Sequence, residues 1–491
     1  MTMQQYTLNS FYNDISNKKF QVLKLDLSKN GYIIAALQSQ LYSRSCDKST
    51  HDDGSSHYDT QKLQDMVESN NFYSGKWTRF NMMIVSFLEY CQNIDPWSSW
   101  NSCDVIFQFY SDLNNCILND TYPVDELIDI FIENTEYIIP FAELLDSNYR
   151  YLQIKKFQFL SYTSSIISKT FNSIKSQHPN SSSNQNHNTI LNQSNFTISK
   201  KQQILLYLVN KLNNIYFKIQ SPQLCSNIFR NFRPKSSIKN FNEYPVWQQI
   251  EYRYLLGRFY LLNKRVSNSF VQLNTSFNLL FKSYQIMNIL DDLRSKRNLQ
   301  RILKYLIPLG IIMGKLPNLN FVSKFLIDEE NNLNYRELLQ YVRSGNIFMM
   351  NQWLKSNEII LRKRNLFLIL LEKLPMLTYR YLLRRVIQIW SIEQQLNRLP
   401  YDIFEKCLKV SIQDNDTSDN INIFNSIHKS KNVENILVTL INLGYLRGNC
   451  FPLLQLCVFQ RTTDINNILP PIENRMLSMF PLNHEDSWLD N

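Results

Sequence analysis

The sequence predicts an all-α fold that closes in a small β-hairpin near its C-terminal end. Three observations carry that prediction. Only 9 of the 491 residues are glycine, too few for the turns of an all-β chain or the phosphate cradles of nucleotide-binding α/β folds. Apolar residues recur at three- and four-residue spacing through most of the chain, the period of a helix with one buried face. After Gly444 the period shortens to two, as in strands. With 44% apolar and 13% aromatic residues, a chain of this length can fill large cores.

The N-terminal stretch, 1–170, reads as a helical unit. Helices are predicted over Phe80–Tyr90, Cys103–Leu118, Val124–Glu136 and Leu152–Phe171, with Asp95-Pro96-Trp97 breaking the first two. Two polar segments lack hydrophobic periodicity and are expected to be disordered. These are an insert at 43–60 and a linker at 171–200 that contains HPNSSSNQNHN.

From 201 to 375 the helices are expected in pairs. Gln202–Phe217 is amphipathic. Ile250–Asn263 and Ser267–Tyr284 form a hairpin whose Leu256-Gly257-Arg258-Phe259-Tyr260 fits the core of a tetratricopeptide-like repeat. Gly257 would let its two helices approach, with Ser269 and Ser276 small at the contact, and Phe259 and Tyr260 are expected in the core. Further helices are predicted at Asn298–Gly314, Asn334–Ser344, Ile347–Ser356 and Arg362–Lys373, and the simplest architecture is a stack of such pairs.

The region 376–461 changes rhythm. Thr378 is placed as the cap of a helix running to Trp390. Helices at Pro400–Ser411 and Asn432–Gly444 follow, the latter ended by Gly444. Leu446–Phe451 and Leu454–Gln460 read as two short strands, with Leu456–Gln460 offering an exposed edge to a partner's sheet. Three helices and a hairpin are the order of a winged helix. Residues 462–491 are left as a C-terminal tail.

Several function classes have no support. There is no GxSxG, no P-loop and no convincing acid pair, so no enzyme activity is expected and a hydrolase built on scattered acids is the least favoured reading. Glu329-Glu330 beside Asp328 reads as a loop or helix start. The eight cysteines show no CxxC and the six histidines no HxxxH or HExxH, so buried reduced thiols and no metal or cofactor are expected. Residues 1–20 have no apolar signal-peptide core, and no run of 18 uncharged apolar residues occurs, so a soluble cytoplasmic or nuclear protein is expected.

The net charge of +10 is uneven. Residues 1–150 hold 10 Lys+Arg against 20 Asp+Glu, and residues 151–491 hold 42 against 22. Such polarity suggests surfaces for different partners.

The stretches IEYRYLLGRFYLLN (250–263), LLEKLPMLTYR (370–380) and NVENILVTLINLGYLRGNC (432–450) resemble the PCI-domain family. The resemblance is to the branch that contains the fungal PCI subunit of transcription-export complex 2 and its signalosome-associated relatives. DPWSSW (95–100), LLYLVNKLNNIYF (205–217) and SPQLCSNIFRNF (221–232) extend the resemblance to the messenger-export subunit over nearly the whole chain, the polar inserts excepted. It implies a non-enzymatic scaffold in transcription-coupled mRNA export at the nuclear face of the nuclear pore. The implied partners are a large scaffold subunit met through the winged helix, a small acidic proteasome-lid-type protein, and RNA or DNA, with no membrane insertion. The alternative within the branch is a signalosome-associated subunit in splicing or protein turnover.

The densest basic region is 361–390. It holds Arg362, Lys363, Arg364, Lys373, Arg380, Arg384 and Arg385 against Glu372. Arg380 and Arg384, four apart, are expected to face solvent or a ligand, where the planar guanidinium suits phosphate. The candidate nucleic-acid residues are Arg362, Lys363, Arg364, Arg380, Arg384 and Arg385, with Lys429, Lys431, Arg447 and Arg461 around the third helix and wing, although Asp414, Asp416 and Asp419 precede that helix. Binding should be directed at the backbone and unspecific in sequence. Contact with the scaffold partner and a plain solvated face are the alternatives. Two further clusters, Arg230, Arg233, Lys235, Lys239 and Arg294, Lys296, Arg297, Arg301, Lys304, are the candidates for holding the acidic protein.

Overall fold

The computed structural model describes residues 6–46, 60–98, 100–119, 122, 124–176, 200–232, 240–326, 333–392, 397–413, 433–460 and 464–490. These form two compact units, 1–244 and 245–491. Helices dominate, and the strands among the described residues form one small antiparallel sheet.

The first unit contains α1 (Leu8–Ser16), α2 (Leu27–Cys46), α3 (Thr60–Glu68), α4 (Thr78–Asn93), α5 (Cys103–Ile117) and α6 (Asp125–Ser147). After these come α7 (Gln158–Ser176), α8 (Lys200–Gln203), α9 (Leu205–Lys218) and α10 (Leu224–Phe232). Its core is rich in rings: Phe11 stacks on Phe87 at 5.7 Å, Tyr110 on Phe131 at 5.6 Å, and Trp77 on Tyr122 at 4.6 Å between centroids. Neutral side chains hold the turn between α1 and α2. Asn134 accepts from Leu25 N at 3.0 Å and donates to Leu23 O at 3.1 Å, Asn30 donates to Val22 O at 2.7 Å, and Tyr90 donates to Leu25 O at 2.8 Å. Asp146, its carboxyl pushed up by burial, accepts from Phe159 N and Leu160 N at the start of α7.

The polar insert and linker fall largely outside the described residues. Where described they are helical, since α2 runs to Cys46 and α7 to Ser176. Helix α9, read from sequence as the opening of the repeats, packs on α7 inside the first unit.

The second unit contains α11 (Val246–Leu262), α12 (Val266–Ile286), α13 (Leu293–Ile312), α14 (Leu319–Val322), α15 (Tyr335–Ser344), α16 (Ile347–Ser356), α17 (Glu358–Lys363) and α18 (Phe367–Ile387). Then follow β1 (Arg398–Pro400), α19 (Tyr401–Ile412), α20 (Val433–Asn442), β2 (Gly448–Phe451), β3 (Leu456–Phe459), α21 (Ile465–Ile468) and α22 (Ile472–Met479). Gly257 permits the close α11–α12 contact, because a Cβ there would lie 2.7 Å from Leu273 Cγ. Ser269 donates to Gly257 O at 2.7 Å and Ser276 to Ile250 O at 3.0 Å across the same seam. Tyr260 is buried and its hydroxyl donates to Asp486, while Phe259 is half-buried.

Two expectations are corrected. Thr378 caps nothing: it is buried in the middle of α18, donating back to Leu374 O at 2.8 Å. The chain breaks instead at Asn365, whose φ is 58°; α18 then runs unbroken through Pro375, which lacks the N–H that would bond Leu371 O. Strand β3 has no free edge, because the sheet order is β1-β3-β2 and both neighbours pair with it, Leu399 and Cys450 each opposite Cys457.

The segment read as a tail is built into the unit. Arg253, buried in α11, donates to Gln272 Oε1 at 3.1 Å, to Leu489 O, and to Asp490 Oδ1 at 2.9 Å. Ser267 donates to Met476 O at 3.2 Å, and Asn268 donates to Pro481 O and accepts from Asn483 N at 2.7 Å.

Candidate nucleic-acid interface

The run of basic residues at 361–390 does not fold into one face. Arg362 and Lys363 are exposed in the last turn of α17, where Arg362 pairs with Glu358 at 2.6 Å and lies over the Phe367 ring. Arg364 is half-buried, and its positive charge lowers the Tyr335 hydroxyl pKa against the burial that raises it. Arg384 and Arg385 are at the opposite end of α18, about 26 Å further along the helix at 1.5 Å per residue. Lys373 is engaged with Glu372 at 2.8 Å.

Arg380 is not on a solvent face. It is 3% exposed, and its Nη2 donates to Pro470 O at 2.8 Å and Leu469 O at 3.2 Å. Burial lowers its pKa first, and Arg384 adds to that while Tyr381 and Tyr445 oppose it. The spacing of Arg380 and Arg384 is helical, as expected. The carbonyls that draw Arg380 inward come from a segment ninety residues later, which no local pattern announces.

The arginines that face outward in this unit are fewer. Arg384 is half-buried and Arg385 exposed in the last turn of α18, where positive charge also complements the helix dipole. Arg398 on β1 is exposed, with its carbonyl held by Trp390 Nε1 at 3.1 Å. Arg447 is exposed before β2, its N–H bonded to Ile468 O at 2.7 Å. Lys429, Lys431 and Arg461 lie outside the described residues, as do Asp414, Asp416 and Asp419. Sequence reading missed Arg398 and Arg475. Neither has a basic neighbour in the sequence, so no run of charge announces it; the fold brings Arg475 to the same cavity as Arg447.

The second group of candidates is divided between the units. Arg230 is exposed at the end of α10 in the first, while Arg233, Lys235 and Lys239 are outside the described residues. In the second, Arg294, Arg297 and Arg301 are exposed on α13 at spacings of three and four, so they share one side of the helix. Lys296 pairs with Asp291 at 3.3 Å, and Lys304 is half-buried.

The fold also changes the charge count. The first unit holds 22 Lys+Arg against 21 Asp+Glu, and the second 30 against 21. The acids of α6 are met by lysines: Glu133 by Lys24 and Glu136 by Lys211, both at 2.7 Å, Glu143 by Lys218, and Asp129 by Lys200 at 3.6 Å. Among the described residues no cluster of three His, Cys, Asp or Glu could hold a metal ion, and no helix is long and apolar enough to cross a membrane. Cys450 and Cys457 face each other across β2 and β3, Sγ to Sγ 3.9 Å, and burial pushes the Cys457 thiol up.

No family model matches the chain. It is 46% identical over 485 residues to the nuclear mRNA export protein THP1 of Saccharomyces cerevisiae, covering 98% of this chain and 99% of that protein. It is 28% identical over 251 residues to PCI domain-containing protein 2 of Danio rerio, and 29% identical over 245 residues to the CSN12 homolog of Schizosaccharomyces pombe. Those two matches span 54% and 50% of the relatives' own lengths. Identity at that level along almost the full length means that the chain belongs to the THP1 family of PCI-domain proteins.

Proposed function

We propose that the chain is a non-enzymatic PCI scaffold that acts in nuclear mRNA export as a complex subunit and holds RNA or DNA through basic surfaces of its second unit. The observation that carries this is the 46% identity to a nuclear mRNA export protein over 98% of the chain. The charge of the second unit supports the nucleic-acid part: it carries the excess of arginine and lysine, and Arg384, Arg385, Arg398 and Arg447 are accessible there. Guanidinium groups bond phosphate in two-pronged geometry without reading sequence.

In this reading α11 to α16 form the repeat stack, and 376–461, with its helices and three-stranded sheet, forms a winged helix. The tip of its hairpin is apolar and exposed at Phe451, Leu453 and Leu454, which suits docking on the large scaffold partner. The arginine side of α13 (Arg294, Arg297, Arg301) suits the small acidic protein, with Arg230 a second candidate contact. The chain would work at the nuclear face of the pore during transcription.

Affinity purification of the tagged chain tests the assignment. An export scaffold and a small acidic subunit are expected to co-purify; signalosome subunits in their place would favour the splicing or turnover reading. For the nucleic-acid face, Arg384→Glu with Arg385→Glu in the purified complex is expected to weaken oligonucleotide binding at moderate salt. Unchanged affinity would remove this end of α18 from the interface.

A further inference from the structure

In the second unit, a cavity of about 490 Å³ opens between the end of α20 and α22, within the rough range of 300–1,000 Å³ for ligand sites. Two arginines line it, Arg447 and Arg475, together with Asn474, Ser478 and the Pro470-Pro471 turn, and no acid is among the lining residues. Arg475 is held in place. Its Nε donates to Leu443 O at 2.6 Å, and the guanidinium lies across Gly444, where a Cβ would fall 2.2 Å from Nε. Gly444 has φ +69°, so both its conformation and this approach need glycine.

With Nε committed, Arg475 has its two terminal nitrogens left for a ligand. The neighbouring acid, Glu473, is taken by Lys315 at 2.9 Å. Among the described residues neither Arg447 nor Arg475 makes an ion pair. Behind the cavity sits Arg380, whose Nη2 bonds fix the carbonyls of Leu469 and Pro470 and so fix the turn that forms the wall. Its Nε is buried with no hydrogen-bond partner among the described residues. Arg380 and Arg475 both act on the Tyr445 hydroxyl, against the burial that pushes it up to about 12. A concave site with two guanidinium groups, an amide, a hydroxyl and no carboxylate is built for an oxyanion.

We propose that this cavity grips a backbone phosphate of a nucleic-acid strand through Arg447 and Arg475, with Arg380 as the positioning residue behind it. The inference rests on the nucleic-acid reading above and deepens it, because it names the pocket that would hold a phosphate and adds Arg475 to the exposed arginines.

The test uses the full chain in its purified complex and a fluorescein-labelled 20-nucleotide oligo(U), with anisotropy measured across a salt series. Arg447→Gln with Arg475→Gln is expected to lower the slope of log affinity against log salt by about 0.7, the value for one single-strand phosphate that is no longer neutralised. Arg475→Lys is expected to restore part of the slope. An unaltered melting temperature separates weakened binding from failed folding, and the single Arg447→Gln serves if the double variant does not fold. If the double variant keeps the wild-type slope while Arg384→Glu with Arg385→Glu loses binding, the cavity is overturned and the nucleic-acid reading stands. A wild-type complex that does not bind the oligonucleotide overturns that reading and the phosphate site with it. Release of a co-purified protein by the double variant with the slope unchanged makes the cavity a protein-docking site and contradicts the proposal.

Discussion

The two units fasten their irregular segments by different chemistry. The first holds the turn after α1 with neutral groups, Asn134, Asn30 and Tyr90. The second holds its returning C-terminal segment with two buried arginines, Arg253 at its end and Arg380 at its beginning. The difference teaches that a charge count along the sequence misjudges both regions. The acidic look of residues 1–150 disappears once α8 and α9 bring lysines to α6, and part of the basic excess of the second unit is interior structure.

The comparison can be broken most strongly at Arg253. Arg253→Ala removes charged hydrogen bonds to Leu489 O and Asp490 and leaves Gln272 unpaired, for an expected loss of about 3 kcal/mol in the second unit. Denaturant unfolding, with hydrogen exchange over 481–490, would measure it. Asn134→Ala in the first unit is expected to cost less, about 1–2 kcal/mol, since both bonds it removes are neutral. An equal or larger cost there would undo the contrast.

Two helix-interior glycines sharpen it with opposite signs. Gly257→Ala drives a Cβ into Leu273 and is expected to destabilise by about 1–3 kcal/mol. Gly31→Ala in α2 meets nothing within 4 Å and is expected to stabilise by roughly 0.5–1 kcal/mol. Thermal melts of the two variants should move in opposite directions.

The α6 lysine pairs are accessible at one or both ends, so Lys211→Met is expected to cost under about 1 kcal/mol, and less in high salt. The smallest effect concerns Glu372. The hydrogen bond from Lys373 first, then that from Lys264, hold its carboxyl below the usual range against partial burial. A lowered folded pKa contributes stability above the unfolded value, about 4.3, that is lost as pH falls through the folded value. Glu372→Gln should therefore slightly flatten the acid side of the stability curve, and an unchanged curve would mean that the pair is fully screened.

Much of the helical plan was legible because it is local. The helices at 334–356, the close approach at Gly257 and the αL turn at Gly444 all follow from neighbouring residues. Strand β1 was not, since Arg398-Leu399-Pro400 is too short to show a period and exists only by pairing with β3. The burial of Arg380 was hidden for the same reason, its partners lying at 469–470. Arg475 stood alone in sequence, and only the packing of α22 over Gly444 gives it company.

The central claim is that nucleic acid meets the second unit and not the first. Cross-linking a 4-thiouridine oligonucleotide to the purified complex, followed by peptide mass spectrometry, tests it most directly. Cross-linked peptides of this chain are expected to come from 381–398 and from the region of Arg447 and Arg475. Cross-links concentrated in 1–244 would contradict the account.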